Sequence, residues 1–327
     1  MSFSMQTKDE LSRIMPGRKC CRLAELAALI RADGTITITP GQGLGLSVRT
    51  ENASVARKTF RLAKHIFDFE VQIIVERKTR LKKKNLYRVN FAHRSEMEMH
   101  MKKLGILNEE GGIDYSIKKN LVKNNCCLRS YLRGAFLGAG SVSKPEGSYH
   151  LEIITGSLEY AEALTDLMNR FDSLSAKVGS RKKLYFVYLK GSDQIAVFLN
   201  LIGAHQALLS FENTRIVKGM RNQVNRLVNC ETANLSKTVN ASLKQIESIR
   251  LIDRIIGLDK LPARLRDIAG LRLENPDASL KELGELMDPA VGKSGVNHRM
   301  RKLEEIGEEL MNKKTNFLRR KKQKEKR

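Results

Sequence analysis

Hydrophobic and polar positions alternate in the same order twice along the chain, about a hundred residues apart. Residues Leu26-Ala27-Ala28-Leu29-Ile30-Arg31-Ala32-Asp33-Gly34 and Leu132-Arg133-Gly134-Ala135-Phe136-Leu137-Gly138-Ala139-Gly140 each predict a helix rich in small side chains. Each predicted helix ends at a glycine, where a left-handed cap is easily adopted. A hairpin follows in both copies: Thr35 to Thr39 with Leu44 to Thr50, and Ser141 to Ser143 with Tyr149 to Thr155. A helix near 54–68 is then matched by one near 158–172, and the block Tyr87 to Leu104 by Tyr185 to Ile202. In that last block Met97, Met101 and Leu104 align with Ile195, Leu199 and Ile202, the buried face of an amphipathic helix. The expected half is helix, hairpin, helix, hairpin, helix, and two copies imply a pseudo-two-fold α+β body. Small residues on the two repeat helices would let their backbones approach closely across the pseudo-dyad.

Beyond the duplication the pattern changes. Residues 216–240 carry Asn222, Asn225, Asn229, Asn234 and Asn240, which predicts helix with breaks. Leu243, Ile246, Ile249, Ile252 and Ile256 restore a helical face, and Leu261-Pro262 opens a further helix with Leu265, Ile268 and Leu271 inward. Ser279-Leu280-Lys281-Glu282 is a capping box ahead of Leu283 and Leu286. A turn through 288–292 precedes Ser294, read as the cap of a helix with Val296, Met300, Leu303 and Ile306 inward. That placement turns Gly295, Asn297, His298, Arg299, Arg301 and Lys302 to solvent, as a recognition helix requires. Ser279, Lys281, Lys293 and Ser294 complete the candidate DNA-binding set. Asn297 suits adenine, Arg299 or Arg301 suits guanine, and Lys302 suits a phosphate. An ordinary amphipathic helix with a solvated basic face is the alternative.

Composition sharpens the partner. Fifty-nine Lys and Arg stand against 36 Asp and Glu, a formal net charge of +23, which attracts polyanions and raises their encounter rate. Six basic residues (Arg77, Lys78, Arg80, Lys82, Lys83 and Lys84) fall within eight positions between two strand-like runs, and Arg181, Lys182 and Lys183 hold the equivalent turn of the second copy. These are candidate phosphate contacts, with solvated turns as the alternative. The last ten residues hold seven basic groups and one acid, a tail expected to be disordered and to add sequence-independent affinity. Residues Met1 to Glu10 lack a secretory pattern and no apolar run is long enough to span a bilayer, so a cytoplasmic protein without membrane contact is expected, nucleoid-associated through its DNA partner. Four of five cysteines form two adjacent pairs, Cys20-Cys21 and Cys126-Cys127. Neighbouring side chains rarely converge on one tetrahedral ion, so they are taken as small hydrophobes, with no metal and no cofactor expected.

Leu26 to Gly34 resembles the LAGLIDADG motif of homing endonucleases at seven of nine positions, departing at Ala28 and Arg31. The resemblance implies that the two motif helices form a domain interface, and that the last acid of each motif binds catalytic metal. Asp33 stands at that position in the first motif and Ala139 in the second, so no catalytic residue is expected. The chain as a whole resembles the WhiA family through Ser2-Phe3-Ser4, the run Cys20 to Leu26, Asn229-Cys230-Glu231-Thr232-Ala233-Asn234, and Ser294 to Arg299. That family pairs a degenerate LAGLIDADG-like body with a helix-turn-helix. It implies a double-stranded DNA partner, roles in sporulation-linked transcription, cell division and chromosome segregation, and a protein partner in one of these processes. The organisation expected is an arm (1–19), repeat one (20–125), repeat two (126–215), a linker (216–240), an all-α helix-turn-helix domain (241–315) and a basic tail (316–327). An active endonuclease and a protein-binding scaffold with secondary DNA contact are the alternative functions.

Overall fold

The computed structural model describes residues 2–39, 43–77, 85–92 and 96–324, and the side chains among them except at Thr39 and 314–324. The first element is already a departure. Residues expected as an arm form helix α1 (Phe3–Arg13), capped by Ser2, with Phe3, Thr7, Leu11 and Ser12 buried. The sequence signal was weak because Thr7 and Ser12 are polar, but their hydroxyls bond back to the carbonyls of Phe3 and Lys8 within the helix.

Repeat one then runs α2 (Lys19–Asp33), β1 (Gly34–Thr39), β2 (Gly43–Thr50), α3 (Ala53–Ile66), β3 (Val71–Arg77), β4 (Asn85–Phe91) and α4 (Met97–Lys103). Repeat two runs α5 (Asn125–Ala139), β5 (Gly140–Val142), β6 (Leu151–Thr155), α6 (Leu158–Met168), β7 (Lys177–Arg181), β8 (Leu184–Leu189) and α7 (Ser192–Ile202). Each copy folds its strands into an antiparallel sheet of the same order, β1-β2-β4-β3 and β5-β6-β8-β7. The aligned positions Met97, Met101, Leu104 and Ile195, Leu199, Ile202 are all buried, as the periodicity predicts.

Helices α2 and α5 sit at the centre. A Cβ on Gly134 would collide with the Glu25 carbonyl oxygen and lie 2.9 Å from the Ala28 Cβ; one on Gly138 would collide with the Ala32 Cβ. Glycine is therefore required by backbone proximity, and larger side chains would drive the helices apart. One expectation fails here. Gly34 and Gly140 do not take the left-handed conformation; both are extended (φ −74° and −80°), and each helix passes directly into a strand.

By contact the chain divides into two units, Met1–Met220 and Arg221–Arg327. The division falls inside α8 (His205–Ile256), a single 52-residue helix. No break appears at the asparagines. Each costs only about half a kcal/mol against alanine in a helix, too little to interrupt a run otherwise rich in helix formers. The second unit adds α9 (Ala263–Glu274), α10 (Leu280–Glu285) and α11 (Lys293–Lys324). Its core gathers Ile249, Ile252, Ile268, Leu283, Val296, Met300 and Leu303. Leu243 and Leu286, expected inside, are both more than half exposed. The tail expected to be disordered from 316 continues α11 as far as Lys324.

Candidate nucleic-acid interface

In the second unit the capping box forms as written. Ser279 Oγ accepts from the Glu282 amide, and Glu282 Oε2 accepts from the Ser279 amide at 2.7 Å. Behind it, Arg272 is buried and donates to the carbonyls of Asn275, Pro276 and Ala278, fixing the loop that delivers α10. The turn into α11 is tight. The Val291 amide donates to the Gly284 carbonyl at 2.9 Å, and a Cβ on Gly284 would strike the Val291 carbonyl oxygen. Ser294 is not the cap: α11 begins at Lys293, and the Gly292 carbonyl accepts the first helical bond, from Val296.

On α11 the apolar positions Val296, Met300 and Leu303 are buried, while Lys293, Ser294, His298, Arg301 and Lys302 are exposed. Gly295, Asn297 and Arg299 are half-buried. Lys293, Asn297 and Arg301 fall four residues apart, so they follow one line along the helix. Arg299 stands apart from them, its Nη1 lying 3.3 Å from the sulfur of Met287, in the turn after α10. Lys302 pairs with Glu305 at 2.9 Å and Lys281 with Glu285 at 3.7 Å, all exposed side chains. Ser279, Lys281 and Lys293 share a groove with Lys237 and Thr238 of α8. Lys237 was not singled out from the sequence, since nothing in the linker's composition shows that it faces α10.

In the first unit the sheet of repeat one exposes a polar groove lined by Thr35, Thr37, Ser47, Arg49, Gln72, Arg88 and Asn90. The signal for it is the two-residue alternation of Thr35/Thr37, Ser47/Arg49 and Arg88/Asn90, which puts each pair on one face. The corresponding face of repeat two is aromatic: Phe186 and Tyr188 have ring centroids 5.7 Å apart, with the Arg181 guanidinium 5.5 Å above Phe186 and Lys190 5.1 Å from Tyr188. Arg181 also approaches Glu152 at 3.6 Å, whereas Lys182 and Lys183 form the exposed two-residue turn, Lys182 with φ +57°. Arg77 ends β3 and is exposed; Lys78, Arg80, Lys82, Lys83 and Lys84 lie outside the described residues. His93 lies outside them too, and His100 packs edge-on against Phe67 at 4.9 Å.

The two motif positions meet at the C-terminal ends of α2 and α5. Burial pushes the Asp33 carboxyl up to about 6, against the opposing pull of the Lys8 ammonium. Lys8 comes from α1 and donates to the Gly138 carbonyl at 3.3 Å, and both residues line one cleft with Asp33. Burial in turn lowers Lys8, which Asp33 partly restores. Thus a protein cation lies beside the carboxylate, and Ala139 offers only a methyl group. Arg31, one of the two departures from the motif, is committed elsewhere. Its guanidinium donates to the carbonyls of Asp114 and Gly105 and lies 5.0 Å from the Tyr160 ring.

One cluster has no sequence signal, and a second departs from what its sequence implies. Glu25 is fully buried and accepts from Arg133 at 2.9 and 3.1 Å and from Lys58, which also donates to the carbonyls of Leu11 (2.8 Å) and Ile14 (2.7 Å). In the first turns of the same helices, the cysteine pairs face each other. Cys21 and Cys127 are buried with their sulfurs 3.8 Å apart, but Cys20 is exposed and Cys126 half-buried, so the four are not uniformly core residues.

Family models match three segments: a WhiA N-terminal LAGLIDADG-like domain over residues 19–107, a WhiA LAGLIDADG-like domain over 128–221, and a WhiA C-terminal HTH domain over 224–307. A probable cell division protein WhiA of Heliobacterium modesticaldum is 57% identical over 308 residues, 94% of this chain and 96% of that one. A protein of the same name from Desulfitobacterium hafniense is 57% identical over 310 residues, covering 95% and 96% of the two chains. Among solved structures, full-length DUF199/WhiA from Thermatoga maritima matches with a TM-score of 0.57 at 27% identity, over 94% of this chain and 99% of that one.

Proposed function

The chain belongs to the WhiA family, and from that membership together with the geometry above we propose that it is a DNA-binding regulator of cell division without nuclease activity. The observation that carries the proposal is the C-terminal helix-turn-helix, whose α11 leaves Lys293, Ser294, His298 and Arg301 exposed on its first turns. In this reading α11 enters the major groove. Asn297 and Arg301 contact base edges, His298 and Arg299 flank them, and Ser279, Lys281, Lys293 and Lys302 hold phosphates. Arg299 reaches a base only by leaving the Met287 sulfur. The basic turn at Arg181, Lys182 and Lys183, with Arg77, adds phosphate contacts from the body. The finer roles follow the family: transcription regulation, chromosome segregation, sporulation in spore formers, residence at the nucleoid, and a protein partner in transcription or division.

Absence of cleavage is proposed from chemistry at the motif ends. In-line hydrolysis of a phosphodiester needs carboxylates converging on divalent metal. Ala139 cannot ligate, and the Lys8 ammonium supplies positive charge beside Asp33 that competes with a cation.

Binding-site selection from genomic DNA with the full chain, followed by affinity measurement, tests the first half. Arg301→Ala is expected to cost about 1–3 kcal/mol on the selected site and to relax preference at one base pair. Equal loss on selected and random DNA would remove the base-reading role. For the second half, supercoiled plasmid with Mg²⁺ is expected to stay intact with both the parent and Asp33→Ala. Nicking that disappears in Asp33→Ala would overturn it.

A further inference from the structure

We propose that Cys20, Cys21, Cys126 and Cys127 form a zinc site at the N-terminal ends of the two pseudo-dyad helices. Two adjacent cysteines on one helix cannot surround an ion, but here each helix contributes a pair and the pairs face each other. The sulfurs of Cys20, Cys21 and Cys127 all lie within 4.8 Å of one another, and among the described residues they are the only metal-competent group of three or more. The Cys21–Cys127 separation is 3.8 Å. Tetrahedral zinc with bonds of about 2.3 Å places its sulfurs about 3.8 Å apart, so this edge already has the required length. Cys126 lies outside that group of three but next to Cys127 on the same helix turn, and would supply the fourth sulfur; it accepts from the Arg18 guanidinium at 3.8 Å.

The electrostatics of the surroundings point the same way independently. Four thiolates around Zn²⁺ carry a net charge of −2. That charge would sit on the first turns of α2 and α5, each 15 residues long, whose N-caps Arg18 and Asn124 make no side-chain cap bond. Neither first turn contains an acid. Two uncapped, positively polarised helix ends and the Arg18 guanidinium thus lie beside the same sulfurs, where they would offset the negative charge of a bound tetrathiolate site. Soft thiolate ligands in this geometry select zinc over the hard divalent ions. On binding, each thiol gives its proton to solvent as its sulfur bonds the ion; no electron transfer is involved.

Zinc itself is the probe. The full chain, purified under reducing conditions and loaded with one equivalent of zinc, is expected to retain about one ion per chain after desalting, measured by elemental mass spectrometry. Cobalt substitution should give the charge-transfer and intense d–d bands of tetrahedral thiolate coordination. Cys127→Ser should lower zinc affinity by at least about tenfold, and Cys230→Ser, on exposed α8, should leave it unchanged. Because Cys20 is exposed, Cys20→Ser leaves the packing intact and should still weaken binding by a similar factor. Failure of the reduced, folded chain to retain zinc would overturn the proposal. So would retention by Cys20→Ser and Cys127→Ser equal to that of the parent, or cobalt spectra without sulfur charge transfer.

Discussion

Asp33 shows how little a motif residue says until its neighbours are known. Its position in the first motif and the methyl group of Ala139 in the second were both legible in the sequence. Lys8 was not, because it lies on a helix whose buried face includes Thr7 and Ser12 and so carries no apolar period. The raised carboxyl has a thermodynamic consequence. An acid whose folded pKa is about 6, against 3.8 for the free side chain, binds its proton more tightly in the native state. Native stability contributed by this group is therefore present below pH 4 and lost as pH rises toward 6. At about 1.4 kcal/mol per unit the loss is at most about 3 kcal/mol. Asp33→Asn should remove that dependence. Its stability relative to the parent should climb across pH 4 to 6 in urea titrations, and a constant difference would show that Asp33 titrates normally.

Among elements, the central helix pair was the most legible, since Gly134, Gly138, Ala27 and Ala28 announce close approach. The ion cluster inside it was invisible to periodicity. Glu25, Lys58 and Arg133 lie at sequence distances where no local rule connects them, yet Arg133 also donates to the Ile202 carbonyl at 3.1 Å, so one cluster ties α1, α2, α3, α5 and α7 together. Burial pulls the Lys58 ammonium down to about 8 against the pull of Glu25, which leaves it charged at neutral pH. Lys58→Met should therefore destabilise by about 3–5 kcal/mol in chemical denaturation, because it strands part of the Glu25 charge and two carbonyls. In the second unit the legible element was α10, with its reciprocal cap. Ser279→Ala should cost about 1 kcal/mol of thermal stability, with little change expected if the cap is dispensable. The start of α11 was misplaced by two residues because Ser294 is a good cap by composition, whereas the Gly284–Val291 contact closes the turn earlier.

Across the whole molecule, charge is the property most directly read from sequence, and its organisation the least. A surplus of +23 predicts a polyanion but not which surfaces meet it. If six to ten phosphates are engaged, affinity should fall by about 10³–10⁵ between 50 and 200 mM salt. Each lost contact lowers the log–log slope by about 0.9, so the triple variant Arg181→Ala, Lys182→Ala, Lys183→Ala should flatten it by up to about 2.7. An unchanged slope would place that turn off the DNA. The contrast between a hydrogen-bonding sheet face in repeat one and an aromatic face in repeat two adds that the copies are not interchangeable surfaces, a difference the matching strand order conceals.

The lopsidedness of the buried ion cluster bears on what each repeat could do without the other. At the offset of 106 that relates the two cysteine pairs, the mate of Glu25 is Tyr131 and the mate of Arg133 is Ala27. A homodimer rebuilt from the first half alone would keep each glutamate with its Lys58 but lose every matching arginine; one rebuilt from the second would bury two guanidiniums with no Glu25 carboxylate to meet them. The two halves are thus complementary and no longer interchangeable. Co-expressed halves should therefore purify as a one-to-one pair, and the second half expressed by itself, with Arg133 deprived of Glu25, should be the less soluble of the two.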